Sequence, residues 1–234
     1  MRKTANMKKR CLAALAACAL ALLAVGCSSE AEEEPSPLSI KNGIVYKCNA
    51  DARRAVIPDG ATEINASAFL NCTSLESVTI PESMTKIGIY AFQNCVSLTS
   101  VTIPDSVTEI GQNAFWQCTG LESVTIGKGI KRIAYFLFSG CSSLTAIDIP
   151  DGIECIEGSA FSECKELVSV TIPRSVDTIE GGAFDGCVKL TTVNYAGNST
   201  EWADINSGEY QNPIMTGLEG KTIVYDYGQE DSDD

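Results

Sequence analysis

The sequence predicts an α/β repeat solenoid, with short parallel strands on one face and short helical segments on the other. The first reason is a period of 23 residues, which runs over residues 57–195 without an insertion or a deletion. The second reason is that three apolar residue types keep one register in every copy. They are Cys72, Cys95, Cys118, Cys141, Cys164 and Cys187; Phe69, Phe92, Phe115, Phe138, Phe161 and Phe184; and Leu75, Leu98, Leu121, Leu144, Leu167 and Leu190. A fixed period of roughly 20 to 50 residues indicates units that stack and share one core.

Each copy contains one predicted strand that ends at a turn. In residues 98–103, Val101 and Ile103 alternate with Ser100 and Thr102, which is the period-two pattern of a half-buried strand. Pro104 follows directly, and proline cannot donate a hydrogen bond to a sheet, so it ends the strand. Every strand in the array is therefore expected to be short.

The other half of each copy has a different spacing. Ile87, Ala91 and Cys95 lie four residues apart, with Phe92 beside them, and this spacing favours one face of a short helix. The sequence therefore predicts a short, irregular helical segment between one strand and the next.

The repeated unit resembles a known family. The series Leu98-x-x-Val101-x-Ile103 corresponds to the L-x-x-L-x-L core of leucine-rich repeats. The fuller unit, Ile-Gly-x-x-Ala-Phe-x-x-Cys-x-x-Leu-x-x-Val-x-Ile-Pro, resembles the BspA-like leucine-rich repeats of bacterial surface proteins, over residues 57–195. That resemblance implies adhesion or attachment to host matrix, in a family whose members differ in function.

The first 26 residues resemble the signal peptide of a bacterial lipoprotein. Basic residues precede an apolar stretch over residues 11–25, which is too short for a stable membrane span. The stretch ends in Leu23-Ala24-Val25-Gly26-Cys27, which is similar to a lipobox and implies cleavage before Cys27 and acylation of that residue. The sequence thus predicts an exported protein, held on a bacterial membrane by lipid and facing outward.

The remaining chain divides into five predicted segments. Residues 27–39 form an acidic tether, residues 40–57 an N-terminal cap, residues 58–195 the six repeats, residues 196–228 a C-terminal cap and residues 229–234 an acidic tail. Trp202 is expected to pack within the C-terminal cap rather than to serve as a ligand platform. The formal net charge is −13, so we expect no nucleic acid partner and no contact with anionic lipid beyond the lipid anchor.

The composition argues against catalysis and cofactor binding. The chain has no histidine, which excludes Ser-His and Cys-His nucleophile pairs and the commonest zinc ligand. The six repeated cysteines are expected to fill the core as small apolar residues, with disulfides between rungs or a metal site as the alternatives. Cys155 lies outside that column and is expected near the surface, too far from Cys48 for a disulfide. The prediction is therefore a protein that is not an enzyme, with no catalytic residue, no metal and no cofactor.

The outward strand positions are the candidate binding face. They are Ser77, Thr79, Ser100, Thr102, Ser123, Thr125, Asp148, Ser169 and Thr171, with Ala146, Thr192 and Asn194 in the same columns. Solenoids commonly bind partners along such a surface, here a protein or a glycan and possibly host matrix. The alternative is a structural spacer or scaffold without a dedicated ligand, because Thr also favours strands for reasons of propensity alone.

Overall fold

A computed structural model of the protein describes residues 36–205 and 217–227. The chain winds into a β-solenoid of about seven turns, and we call each 23-residue copy a rung. The strands are β1 (Leu38–Lys41), β2 (Ile44–Cys48), β3 (Arg54–Val56), β4 (Glu63–Ile64), β5 (Ser77–Thr79), β6 (Lys86–Ile87), β7 (Ser100–Ile103), β8 (Glu109–Ile110), β9 (Ser123–Ile126), β10 (Arg132–Ile133), β11 (Ala146–Asp148), β12 (Cys155–Ile156), β13 (Ser169–Ile172), β14 (Thr178–Ile179), β15 (Thr192–Tyr195) and β16 (Thr222–Val224). Helix α1 spans Ser199–Asp204.

The predicted strands form a parallel array, which we call the main ladder. It contains β3, β5, β7, β9, β11, β13, β15 and β16, hydrogen-bonded as β3–β5, β7–β9 and β11–β13–β15–β16. Ser100 pairs with Ser123, and Ile103 pairs with Ile126, so the register equals the sequence period. Parallel strands need a long connection between them, and the rest of each rung supplies it.

The structure contains a second array of strands that was not predicted. Its strands within the repeats are two residues long. It contains β2, β4, β6 and β8, and then β10, β12 and β14, again in parallel register. Ile87 and Ile133 are completely buried, whereas Lys86 and Arg132 point outward. We call this array the second ladder. Each rung therefore contributes two strands to the solenoid.

The prediction of helical segments is wrong. Within residues 36–205 and 217–227, α1 is the only helix, and it lies outside the repeats. In the second full rung, Tyr90 and Asn94 have positive φ values of 58° and 60°, which no α-helix accommodates. The amide groups of Tyr90, Phe92 and Asn94 donate to the next rung instead of to residue i−4. The spacing of four residues among the buried side chains comes from successive tight turns.

Three columns of identical side chains fill the core. The six phenylalanine rings stack face to face, with neighbouring centroids 4.5 to 5.6 Å apart. The repeated leucines and cysteines are likewise buried along the array. A single rung could not bury these side chains, so the stacking of rungs is itself the core.

The cysteine column confirms the core interpretation. The repeated cysteines are buried in every rung, among the leucine and phenylalanine columns. Most thiols donate to the carbonyl group of a phenylalanine in the preceding rung; the Sγ of Cys118, for example, lies 3.1 Å from the oxygen of Phe92. Cys48 extends the column, because it is buried beside Cys72.

Each end of the array has its own covering element. At the N-terminal end, β1 and β2 form an antiparallel hairpin, and β2 continues into the second ladder. At the C-terminal end, Asn198 and Glu201 form a capping box that begins α1. Trp202 packs edge-on against Tyr195 at 5.1 Å between ring centroids, as expected for a residue of the cap.

The predicted signal peptide, Cys27 and the acidic tail lie outside the described residues, as does most of the predicted tether. Among the described residues, no helix has the length and apolar character needed to cross a bilayer.

Candidate binding surfaces

The predicted binding positions lie together on the outer side of the main ladder, which we call the strand face. Ser100, Thr102, Ser123 and Thr125 are exposed, while Val101 and Ile103 between them are buried. Strand pairing places Thr102 directly beside Thr125. Neighbouring strands in a sheet are about 4.8 Å apart, so the hydroxyl groups form two parallel rows at that interval.

The strand face changes along its length. Ser77 and Thr79 are exposed in β5, but Ser169 and Thr171 in β13 are half-buried. β11 between them carries Ala146 and Asp148, both exposed, so the rows of hydroxyl groups are interrupted there. The carboxylate of Asp148 is the one charge among the predicted positions, and it pairs in register with Thr171.

The strand face extends beyond the predicted residues at both ends. Arg54 and Val56 of β3 lie in register beside Ser77 and Thr79, and Val56 is 67% exposed. At the other end, Thr222 and Val224 of β16 continue the rows past Thr192 and Asn194. Arg54 lies one period of 23 residues before Ser77, and this spacing could have predicted β3.

Charged side chains on the second ladder pair across rungs. Lys86 lies 3.2 Å from Glu109, and Arg132 lies 3.1 Å from Glu157. Pairs between exposed groups contribute little to stability, so Lys86 and Glu109 add little to the stability of the stack. Within each of these two pairs the opposite charges offset one another.

Cys155 lies on the second ladder and is half-buried, in agreement with its expected position near the surface. Burial raises the pKa of this thiol to about 11, and the carboxylates of Glu180 and Glu157 add to the effect. The thiol is therefore protonated at neutral pH, which disfavours a role as a nucleophile, because the thiolate is the reactive form.

Glu157 is the only charged side chain buried among the described residues, and it organises a group around Tyr135. Its carboxylate accepts hydrogen bonds from Arg132 and, at 3.0 Å, from the backbone N–H of Tyr135. The carboxylate of Glu180, next to the Tyr135 hydroxyl, raises the pKa of Tyr135 to about 12. The ring of Tyr135 is thus fixed at the surface of the rung, and this feature was not predicted.

The repeats match known bacterial proteins in sequence and structure. A leucine-rich repeat protein of T. pallidum is 31% identical, with a TM-score of 0.61, and the match covers 65% of this chain and 77% of that one. A leucine-rich repeat protein of Eubacterium ventriosum is 33% identical, with a TM-score of 0.61; the match covers 64% of this chain but only 42% of that one. A leucine-rich repeat protein of Bacteroides ovatus is 25% identical, with a TM-score of 0.50, over 64% of this chain and 50% of that one.

A comparison with curated proteins found no match. The family model described as the BspA type leucine-rich repeat region, in contrast, matches in six copies, over residues 38–145 and 85–207. These matches span the second ladder, the main ladder as far as β15, and α1, and they cover more than half of the chain. The chain belongs to the BspA-type leucine-rich repeat family.

Proposed function

We propose that this chain is a non-enzymatic lipoprotein of the bacterial cell surface, and that it binds a protein or a glycan through the strand face. The observation that carries the proposal is the register of the exposed strand positions. Ser100 beside Ser123, and Thr102 beside Thr125, present hydroxyl groups at a fixed interval on a rigid sheet. Such groups both donate and accept hydrogen bonds, and solenoids of this type commonly bind partners along one face.

The chemistry of the strand face favours a polar partner of low charge. Its rows consist mainly of Ser and Thr, with Arg54 and Asp148 as isolated charges. The hydroxyl side chains of this face offer a charged ligand no ion pair, whereas a polypeptide or a glycan could hydrogen-bond to successive rungs. The contact would extend over several strands rather than depend on one deep pocket.

The first experiment is a capture assay with purified chain against immobilised host-matrix proteins and glycans. We expect at least one of them to be retained. Replacing Thr102, Ser123 and Thr125 with lysine should abolish that retention, because long charged side chains would project from adjacent positions. The matched control places lysines at Thr62, Thr85 and Thr108, which are exposed beside the second ladder.

Two outcomes would count against the strand face. If the strand-face lysines and the control lysines reduced retention equally, the loss would reflect added charge rather than a lost surface. If the strand-face variant retained every partner unchanged, the chain would instead be a spacer or scaffold without a dedicated ligand on this face.

The proposed membrane attachment has a separate test. Acyl chains on Cys27 would anchor the protein to a bacterial membrane with the repeats facing outward. We expect Cys27→Ala to release the protein from the membrane fraction into the soluble fraction. Membrane attachment that remained complete in this variant would contradict lipidation at Cys27.

A further inference from the structure

A second surface lies on the turns that follow the second ladder, away from the strand face. We call it the aromatic edge and define it as Ile89, Tyr90, Gln112, Asn113, Tyr135 and Phe136, two residues from each of three consecutive rungs. Tyr90 and Phe136 are 40% and 42% exposed, and Ile89 and Tyr135 are exposed to a similar degree. Large apolar side chains concentrated on one edge of a solenoid are not explained by its core.

The backbone conformation of the aromatic edge makes its composition unusual. Tyr90 and Phe136 have φ values of 58° and 55°, in the left-handed region that bulky side chains rarely adopt. Ser67, Ser159 and Gly182 occupy the same position in other rungs and have the same sign of φ. Since serine or glycine satisfies the fold at this position, the fold does not require the two aromatic residues. Strain retained at an exposed position points to a function.

Hydrogen bonds between rungs hold the edge rigid. The backbone N–H of Tyr90 donates to the backbone carbonyl oxygen of Gln112 at 3.1 Å. The backbone N–H of Asn113 likewise donates to the carbonyl oxygen of Tyr135 at 3.0 Å. The backbone N–H of Phe136 donates in the same way to the carbonyl oxygen of Gly158 in the following rung. The rings are therefore carried on a fixed backbone, which lowers the entropy lost when a ligand binds.

Tyr135 is additionally held by its side chain. Its hydroxyl lies next to Glu180, and its ring lies against Gly158, where an added Cβ would come within 2.9 Å of the ring. A larger residue at position 158 would displace the ring of Tyr135 from this place. The aromatic edge is thus positioned before any ligand arrives.

The spacing of the edge suits a regular linear ligand. Tyr90 and Phe136 are two rungs apart, which corresponds to about 10 Å at the usual distance between neighbouring strands. The intervening rung presents the amide side chains of Gln112 and Asn113, of which Gln112 is exposed. An aromatic residue, an amide and a second aromatic residue therefore follow one another along the solenoid axis.

We propose that the aromatic edge binds a neutral, extended β-1,4-linked glycan, with sugar rings on Tyr90 and Phe136 and hydroxyl groups on the intervening amides. Two sugar residues of such a chain have a length close to the separation of the two aromatic rungs. The C–H faces of a pyranose pack on aromatic rings, and its hydroxyl groups hydrogen-bond to amides. Glu157 and Glu180 lie beneath Tyr135, and the chain is acidic, so an anionic glycan would be repelled.

A glycan fits these residues better than an apolar peptide does. A peptide helix or strand buries a continuous apolar surface, whereas polar amides divide the aromatic edge at its middle rung. The proposal concerns a surface other than the strand face, and it stands whether or not the strand face binds a partner.

The test measures binding of three soluble hexasaccharides, made of β-1,4-linked glucose, N-acetylglucosamine or mannose, to the full chain by saturation-transfer NMR. We expect at least one of them to bind, and the double variant Tyr90→Ser/Phe136→Ser to weaken that binding about tenfold or more. Serine occupies this position in other rungs, so the variant should fold, and its thermal unfolding midpoint should be equal to or above that of the parent chain.

Two controls locate the site. Val188 is 75% exposed and lies outside the aromatic edge. Val188→Ser removes this apolar side chain and should leave oligosaccharide binding unchanged. The strand-face lysine variant should also leave it unchanged, which separates this site from the proposed function. Failure of all three hexasaccharides to bind, equal binding by the folded double variant, or a protein partner bound at this edge instead would overturn the proposal.

Discussion

The buried and exposed columns of the same rungs differ in how much their residues vary. Inside, Phe69 to Phe184 and Cys72 to Cys187 repeat one residue type through all six rungs. Outside, the position of Tyr90 is Ser, Asn, Phe, Ser and Gly in the other rungs. A buried side chain packs against its own equivalents, so it can change only if its neighbours change with it. An exposed side chain faces solvent, and its identity is free to serve binding.

The thiol column should produce the largest effect that this comparison predicts. The neighbouring thiols of Cys118 and Cys187, together with burial, raise the pKa of Cys95 and Cys164 above the unfolded value of about 8.5, and burial does the same for Cys141. Their stabilisation is therefore complete below that pH and is lost as pH rises toward the folded pKa. Each of these three thiols should cost about 1.4 kcal/mol per pH unit in this range, several kcal/mol together by pH 10, and the lowered pKa values of Cys72 and Cys187 offset part of that loss.

Urea unfolding at pH 7 and pH 10, under reducing conditions, measures this loss. Cys141→Ala should make the dependence on pH shallower, whereas Ile147→Val should lower stability at both pH values without changing the slope. An identical slope in Cys141→Ala and the parent chain would show that the buried thiol does not act as described.

The phenylalanine stack should give the next largest effect. Phe115 packs between Phe92 and Phe138, at 5.0 and 5.5 Å between ring centroids, and is completely buried. Phe115→Ala should therefore lower the free energy of unfolding by about 3–5 kcal/mol. Phe136→Ala removes the same side chain from the exposed column and should change it by less than about 0.5 kcal/mol. Equal losses in the two variants, measured by urea unfolding, would contradict the distinction between the columns.

A smaller loss should follow from crowding two rungs together. A Cβ on Gly111 would overlap the backbone nitrogen of Ile89, so the rungs would have to separate locally. We expect Gly111→Ala to cost about 1–3 kcal/mol. Ala134 occupies the same position in the next rung, and Ala134→Gly should cost no more than about 1 kcal/mol. A thermal midpoint for Gly111→Ala equal to that of the parent chain would show that the rungs adjust freely.

The sequence predicted the features that depend on the period. The stacked Phe, Leu and Cys columns, the strands of the main ladder and their outward residues all follow from a repeat of constant length. Because the period also fixes the register, it placed Thr102 beside Thr125 correctly. The residues of the strand face were found in this way, although their binding role stays a prediction.

The features that were missed depend on local conformation. The spacing of four residues among Ile87, Ala91 and Cys95 is typical of a helix. Consecutive turns with Tyr90 and Asn94 in the left-handed region produce the same spacing of inward side chains, so the pattern could not distinguish the two structures. The second ladder has strands such as Lys86–Ile87, which are too short to show an alternating pattern. The aromatic edge was missed because its residues differ between rungs, whereas the repeat draws attention to residues that are the same.

The most direct test of the central claim measures stability and binding in one protein. The claim is that the buried columns determine stability and that the exposed strand face determines binding. In the variant with lysine at positions 102, 123 and 125, we expect the free energy of unfolding to change by less than about 0.5 kcal/mol per site, while binding of the captured partner is lost. Unchanged binding in this folded variant, or binding lost only in proportion to lost stability, would contradict the claim.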